Sequence, residues 1–121
     1  MSFDTSSSGT AIDLYCPVHY PTGLSGPTTL SMDYLDDQAT STDHVFATYY
    51  KMNKSNGVIS FIARIDDATS PGCGAWTATK ECSVSFTDTF NLGGYIYYVV
   101  ISMRRSLPGD VQRSYEVRLT P

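Results

Sequence analysis

Hydrophobic and polar residues alternate with a period of two through most of this chain, which is the pattern of strands that rest one face on a core. Turn-forming residues divide the alternation into seven strand candidates, at residues 11–16, 29–35, 44–52, 58–65, 82–90, 95–104 and 114–119. In the second, Leu30, Met32 and Tyr34 oppose Thr29, Ser31 and Asp33; in the fifth, Cys82, Val84 and Phe86 oppose Ser83, Ser85 and Thr87. The last reads with Tyr115, Val117 and Leu119 inward. Asn53-Lys54-Ser55-Asn56-Gly57 separates the third run from the fourth, and Asn-Gly suits the left-handed backbone of a tight turn, so these two should form an antiparallel hairpin. Residues 66–81 show no such alternation and read as a long irregular connection, and no helix longer than a turn is predicted.

Three runs break the one-sided rule. In the sixth, Tyr95, Tyr97, Val99, Ile101 and Met103 share one face, yet the opposite face carries Ile96, Tyr98 and Val100. The third and fourth runs add Val45, Ala47 and Tyr49, then Val58 and Ile62, to what reads as an outer face. Placed in one sheet, these residues make an apolar, tyrosine-rich patch larger than a soluble monomer ordinarily exposes. The expectation is a homo-oligomer, dimer or trimer, with Ile96, Tyr98, Val100, Val45, Tyr49, Val58 and Ile62 at the interface.

A chain of 121 residues is one domain, here a polar leader at 1–10 followed by a single domain at 11–121. Ser, Thr, Gly and Tyr are abundant and charges few, as in all-β extracellular modules. Strands of this number without helices between them predict a two-sheet antiparallel β-sandwich of jelly-roll or related Greek-key topology. A net charge of −4 argues against nucleic acid, which needs a basic stripe, and Arg104, Arg105 and Arg113 read as a solvated strand end and turn. No apolar run approaches the roughly twenty residues of a membrane-spanning helix. The polar leader resembles the start of a mature chain from which a signal peptide has been cleaved, so an extracellular or periplasmic location is expected.

Cys73 and Cys82 bracket a Gly-rich polar loop and are expected to be joined, with Cys16 a buried free thiol on the same face as Ile12, Leu14 and Val18. Spacing alone leaves open a pairing of Cys16 with Cys73 or Cys82. No two Cys or His stand at zinc-finger or ribbon spacing. Asp36, Asp37 and Asp43 crowd one loop while Asp66 and Asp67 open another; such residues ordinarily cap turn backbone, and calcium where the loops meet is the sharper alternative. Apart from calcium, no cofactor is expected. His19 and His44 lie on or beside different strands, no nucleophile elbow, metal-protease motif or phosphate loop occurs, and the expectation is a protein without catalysis. Trp76, Tyr20 and Tyr50 are candidates for stacking on a sugar ring, the alternative function being that of a carbohydrate-binding module or lectin.

Several segments together resemble small secreted bacterial β-sandwich modules of unassigned function. They are Leu14-Tyr15-Cys16-Pro17-Val18-His19-Tyr20-Pro21-Thr22-Gly23, Tyr34-Leu35-Asp36-Asp37, Tyr49-Tyr50-Lys51, Tyr97-Tyr98-Val99 and Tyr115-Glu116-Val117-Arg118-Leu119. The resemblance implies the fold and secretion, and it carries no catalytic residues. The chain departs from the pattern at Lys51, at Ser114-Tyr115 and in its cysteine loop.

Overall fold

Among the described residues seven strands form: β1 (Thr10–Pro17), β2 (Thr29–Asp36), β3 (His44–Asn53), β4 (Ile59–Asp66), β5 (Trp76–Ser85), β6 (Tyr95–Arg105) and β7 (Gln112–Thr120). A computed structural model describes residues 10–19, 26–37, 43–105 and 111–121. Most of the leader, Tyr20 with Pro21-Thr22-Gly23, the middle of the first acidic loop and the turn expected at 107–110 lie outside those residues. The chain is all-β, with one four-stranded sheet in the order β1-β6-β3-β4 and one three-stranded sheet in the order β5-β2-β7, antiparallel throughout.

Only β3 and β4 are both consecutive in the chain and adjacent in a sheet, as the Asn-Gly turn predicts. The turn closes with Asn53 N–H donating to Val58 O (2.9 Å) and Gly57 N–H to Asn53 O (2.9 Å). Gly57 takes a φ of 73°, a conformation a side chain would strain. The Asn53 and Asn56 carboxamides accept from Ser55 N–H and Val58 N–H, at 2.8 and 3.0 Å. Every other connection passes from one sheet to the other, so the two sheets are laced together along the chain.

Both sheets contribute to one core. Leu30, Met32 and Tyr34 of β2 and Cys82 of β5 meet Val45, Ala47 and Tyr49 of β3, Ala63 and Ile65 of β4, and Tyr97, Val99, Ile101 and Met103 of β6. Burial of a large apolar side chain stabilises by about 1.5–3 kcal/mol, so this cluster dominates the folding energy. Aromatic contacts run through it, Tyr49 to Phe86 at 5.3 Å and Phe90 to Tyr97 at 4.4 Å. The inner face expected for the sixth run is the one observed, with Tyr97, Val99, Ile101 and Met103 buried.

Four local expectations are corrected. Val45, Ala47 and Tyr49 face the core, not the outside, where they join Leu30, Met32 and Tyr34 of β2, and Lys51 on the same face ends in an ion pair with Asp88, 5.1 Å from the Tyr95 ring centre. Tyr115 is exposed, since a register shift places Glu116 opposite Asp33 but Ser114 opposite Tyr34, turning Ser114 inward and leaving Tyr115 out. β5 starts at Trp76 and ends at Ser85, its residues 77–81 being exposed on both faces and the strand being held by backbone pairing to β2, which hydropathy does not register. Arg105 is buried rather than solvated.

Cys73 and Cys82 form the disulfide, with Cα atoms 5.6 Å apart, and Cys16 is a free, half-buried thiol. A loop of this length contributes about 3 kcal/mol in the chain-entropy model. Tyr34 secures the loop from beneath, its hydroxyl donating to Gly74 O (2.8 Å) and accepting from Gly74 N–H (3.0 Å). No helix among the described residues is long and apolar enough to cross a membrane.

Candidate functional site

Antiparallel register decides which side chains of the four-stranded sheet meet on its outer face. Tyr98 lies opposite Pro17 of β1 and Tyr50 of β3, and Tyr50 lies opposite Phe61 of β4. With Tyr15 two residues before Pro17, and therefore on the same side, one aromatic row crosses all four strands. Ring centres stand 6.4 Å apart from Tyr15 to Tyr98, 5.5 Å from Tyr98 to Tyr50 and 6.3 Å from Tyr50 to Phe61. Ile96, Val100, Met52 and Ile59 extend the row along the strands. Tyr15 is 68% exposed, Phe61 61% and Ile59 56%, so the patch is open at both edges of the sheet. The Tyr98 phenol is held above its ordinary pKa, first by burial and then by the neighbouring Tyr50 and Tyr15.

A shallow groove of about 480 Å³ runs beside the row, its polar wall formed by Asp13, Thr48, Ser102, Arg64 and Arg104. Ser102 Oγ donates to Asp13 Oδ1, which joins β1 to β6 on this face. The two guanidinium groups flank the Phe46 ring, at 4.0 and 5.6 Å from its centre, and cover it almost entirely.

The residues expected at the interface divide. Ile96, Tyr98 and Val100 do lie on the outer face, and Val58 is exposed in the turn leading to β4. Val45 and Tyr49 are core residues. Ile62 sits at the point where the β3–β4 register shifts, Tyr49 facing Ala63 but Tyr50 facing Phe61, and it packs against the core. That bulge turns Phe61 and Ile59 outward, residues the alternation alone did not select. Tyr15 was legible, being opposite in parity to Leu14 and Cys16.

Of the sugar-stacking candidates, Tyr50 belongs to the row and Tyr20 is outside the described residues. Trp76 is half-buried and packs against the core, stacked on Tyr34 at 4.9 Å with Lys80 5.0 Å from its ring. It therefore closes the disulfide loop over the core instead of offering a free face.

No family model, curated protein or solved structure matches this chain. The site is accordingly argued from its own geometry.

A second polar region lies where β2, β4 and β7 meet the acidic loops. Asp36, Asp43, Asp66 and Asp67 are all buried there. Asp66 caps its turn, accepting from Ala68 N–H (3.1 Å) and Arg64 Nη2 (2.9 Å), with His44 Nδ1 at 3.4 Å. Gln112 Nε2 donates to Asp36 Oδ2 at 3.1 Å. The Asp67 carboxyl is pushed up to about 9, by burial first and then by Asp36 beside it. Of the residues expected to hold calcium, Asp36 is thus brought to Asp67 of the other loop, whereas Asp37 is exposed and accepts from Val111 N–H at 3.0 Å.

Proposed function

We propose that this protein is a non-enzymatic, secreted β-sandwich module, of jelly-roll or related Greek-key topology, that works through the outer face of its four-stranded sheet and pairs there with a second copy of itself. The aromatic row from Tyr15 through Tyr98 and Tyr50 to Phe61 carries this reading. A shared core between two sheets supports the sandwich, and the Cys73–Cys82 disulfide supports an oxidising, extracellular or periplasmic setting.

Two features favour a protein partner over a flat sugar platform. Tyr50 and Tyr98 are stacked on one another with 26° between their planes, so the faces a sugar ring would cover are turned together. Trp76 is likewise committed to Tyr34. Two such sheets packed face to face about a two-fold axis bring the same row against itself, and this arrangement closes with two copies. Four strands about 4.8 Å apart and about eight residues long at about 3.3 Å per residue give a footprint of about 500 Å². That is small beside the roughly 800 Å² of accessible surface per partner in a standard interface, and it predicts a weak, reversible dimer.

Size-exclusion chromatography with light scattering on the wild type and on Phe61→Lys tests the proposal. A dimer at high concentration that is lost in the variant supports it, whereas a wild-type monomer at every concentration defeats it. The polar wall of Asp13, Thr48, Ser102, Arg64 and Arg104 favours one second reading, a glycan bound in the groove beside Tyr50 and Tyr98. A glycan array, run with and without calcium, decides that reading by the presence or absence of binding that Tyr50→Ala removes.

A further inference from the structure

Two buried side chains beside the acidic loops, Asp67 and Gln112, hold acceptors that no donor reaches. Asp67 is 1% exposed, and no donor group reaches either carboxylate oxygen, its neighbour there being a second acid, Asp36. Gln112, also 1% exposed, donates to Asp36 through Nε2 but leaves its Oε1 without a donor. A buried acceptor without a donor forfeits its hydration with nothing in return, so several in one place are costly unless a proton or a metal cation joins them.

Geometry supplies the ligands. One donor atom each from His44, Asp66 and Asp67 lies within 4.8 Å of the others, and His44 Nδ1 is 3.4 Å from Asp66 Oδ1. Two ligands about 2.1 Å from a tetrahedral ion stand about 3.4 Å apart. We infer that His44, Asp66 and Asp67 form a binding site for a divalent first-row cation, with Asp36 behind Asp67 supplying further negative charge. One imidazole nitrogen among carboxylate oxygens suits zinc or manganese better than calcium, which prefers an all-oxygen shell. The ligands lie too far apart in sequence for any spacing motif, His44 starting β3 and Asp66 ending β4 across the sheet from it. A cation there would tie β4 to β3 where the hairpin opens, with Asp36 at the end of β2 adding the second sheet.

The test is calorimetric titration and thermal unfolding of chelator-treated protein with zinc, manganese and calcium separately, on the wild type, Asp67→Asn and His44→Gln. Zinc or manganese should bind at one equivalent and, at about a hundredfold excess over Kd, raise Tm by roughly 10 °C. Asp67→Asn keeps the shape of the side chain and should weaken binding at least tenfold while leaving the metal-free protein folded; His44→Gln should weaken zinc more than calcium. The inference is overturned if none of the three ions binds the wild type at millimolar concentration, or if binding persists undiminished in both variants. It is also overturned, in favour of an oxygen-only site, if calcium alone binds and His44→Gln leaves that unchanged.

Discussion

The inner and outer faces of the four-stranded sheet are built from adjacent residues of the same kinds, and they meet opposite fates. Tyr49 and Tyr97 are buried in the core, while their chain neighbours Tyr50 and Tyr98 lie half-covered on the outside. What separates the faces is the second sheet: Leu30, Met32 and Tyr34 of β2 press on the inner side, and nothing in the chain's described residues presses on the row of Tyr15, Tyr98, Tyr50 and Phe61. Side-chain type therefore says little here about burial. Register and cover decide it, and the difference should be measurable as stability on one face and association on the other.

The largest effect is expected at the inner face. Tyr49→Ala removes a fully buried ring in contact with Phe86 and Tyr97 and should cost about 3–5 kcal/mol in urea unfolding. Tyr50→Ala, one residue on, should cost about 1 kcal/mol or less when measured at a dilution where no dimer forms. Equal losses at the two positions would erase the distinction between the faces.

Next is the cover itself. Replacing both Cys73 and Cys82 by Ser frees the loop that anchors the start of β5 over the core, and should cost about 2–4 kcal/mol. Dimerisation of the folded fraction should be unaffected, since the disulfide belongs to the core side of β5 in the other sheet and not to the outer face that carries the row. A dimer that weakens with the disulfide would join two regions that the account keeps apart.

Smaller again is Lys51, which marks the inner face's polar edge. Its ammonium is held above the ordinary value of 10.5, chiefly by the Asp88 carboxylate. A raised folded pKa gives stability that is complete below the unfolded value and is lost as pH climbs through the folded one, so this pair acts at neutral pH and fails only in strong alkali. Lys51→Met should cost about 1 kcal/mol, discounted for a side chain that is 21% exposed, and should remove that alkaline step from the stability profile.

These positions also show why the sequence was only partly legible. Alternation located all seven strands because each packs apolar residues against the core on one face for part of its length, although residues 77–81 of β5 went unread. The phase of β3 was not legible, because both of its faces are apolar and Lys51 marks the inner one as if it were solvated. Ion pairing with Asp88, sixth after Cys82 and on no neighbouring strand, overrides that cue. Bulges at Ile62 and Tyr115 hid two more side-chain directions, since a single extra residue exchanges the faces and leaves composition unchanged. The outer patch was foreseen from Ile96, Tyr98 and Val100, but its full extent through Tyr15, Tyr50, Phe61 and Ile59 depends on strand order. The proposed cation ligands were scattered for the same reason: strand pairing, not spacing, brings His44 to Asp66.

The smallest effect on stability is expected where the proposed function is largest. Phe61→Lys should change unfolding free energy by about 0.5 kcal/mol or less, since its ring is mostly exposed. The two faces can be watched together by methyl NMR through a dilution series from high to low micromolar concentration. The account predicts that the methyl resonances of Ile59, Ile96, Met52 and Val100 move with concentration while those of Met32, Met103 and Ile65 stay fixed. Outer-face resonances that do not move at any concentration, or movement confined to other surfaces, would contradict it.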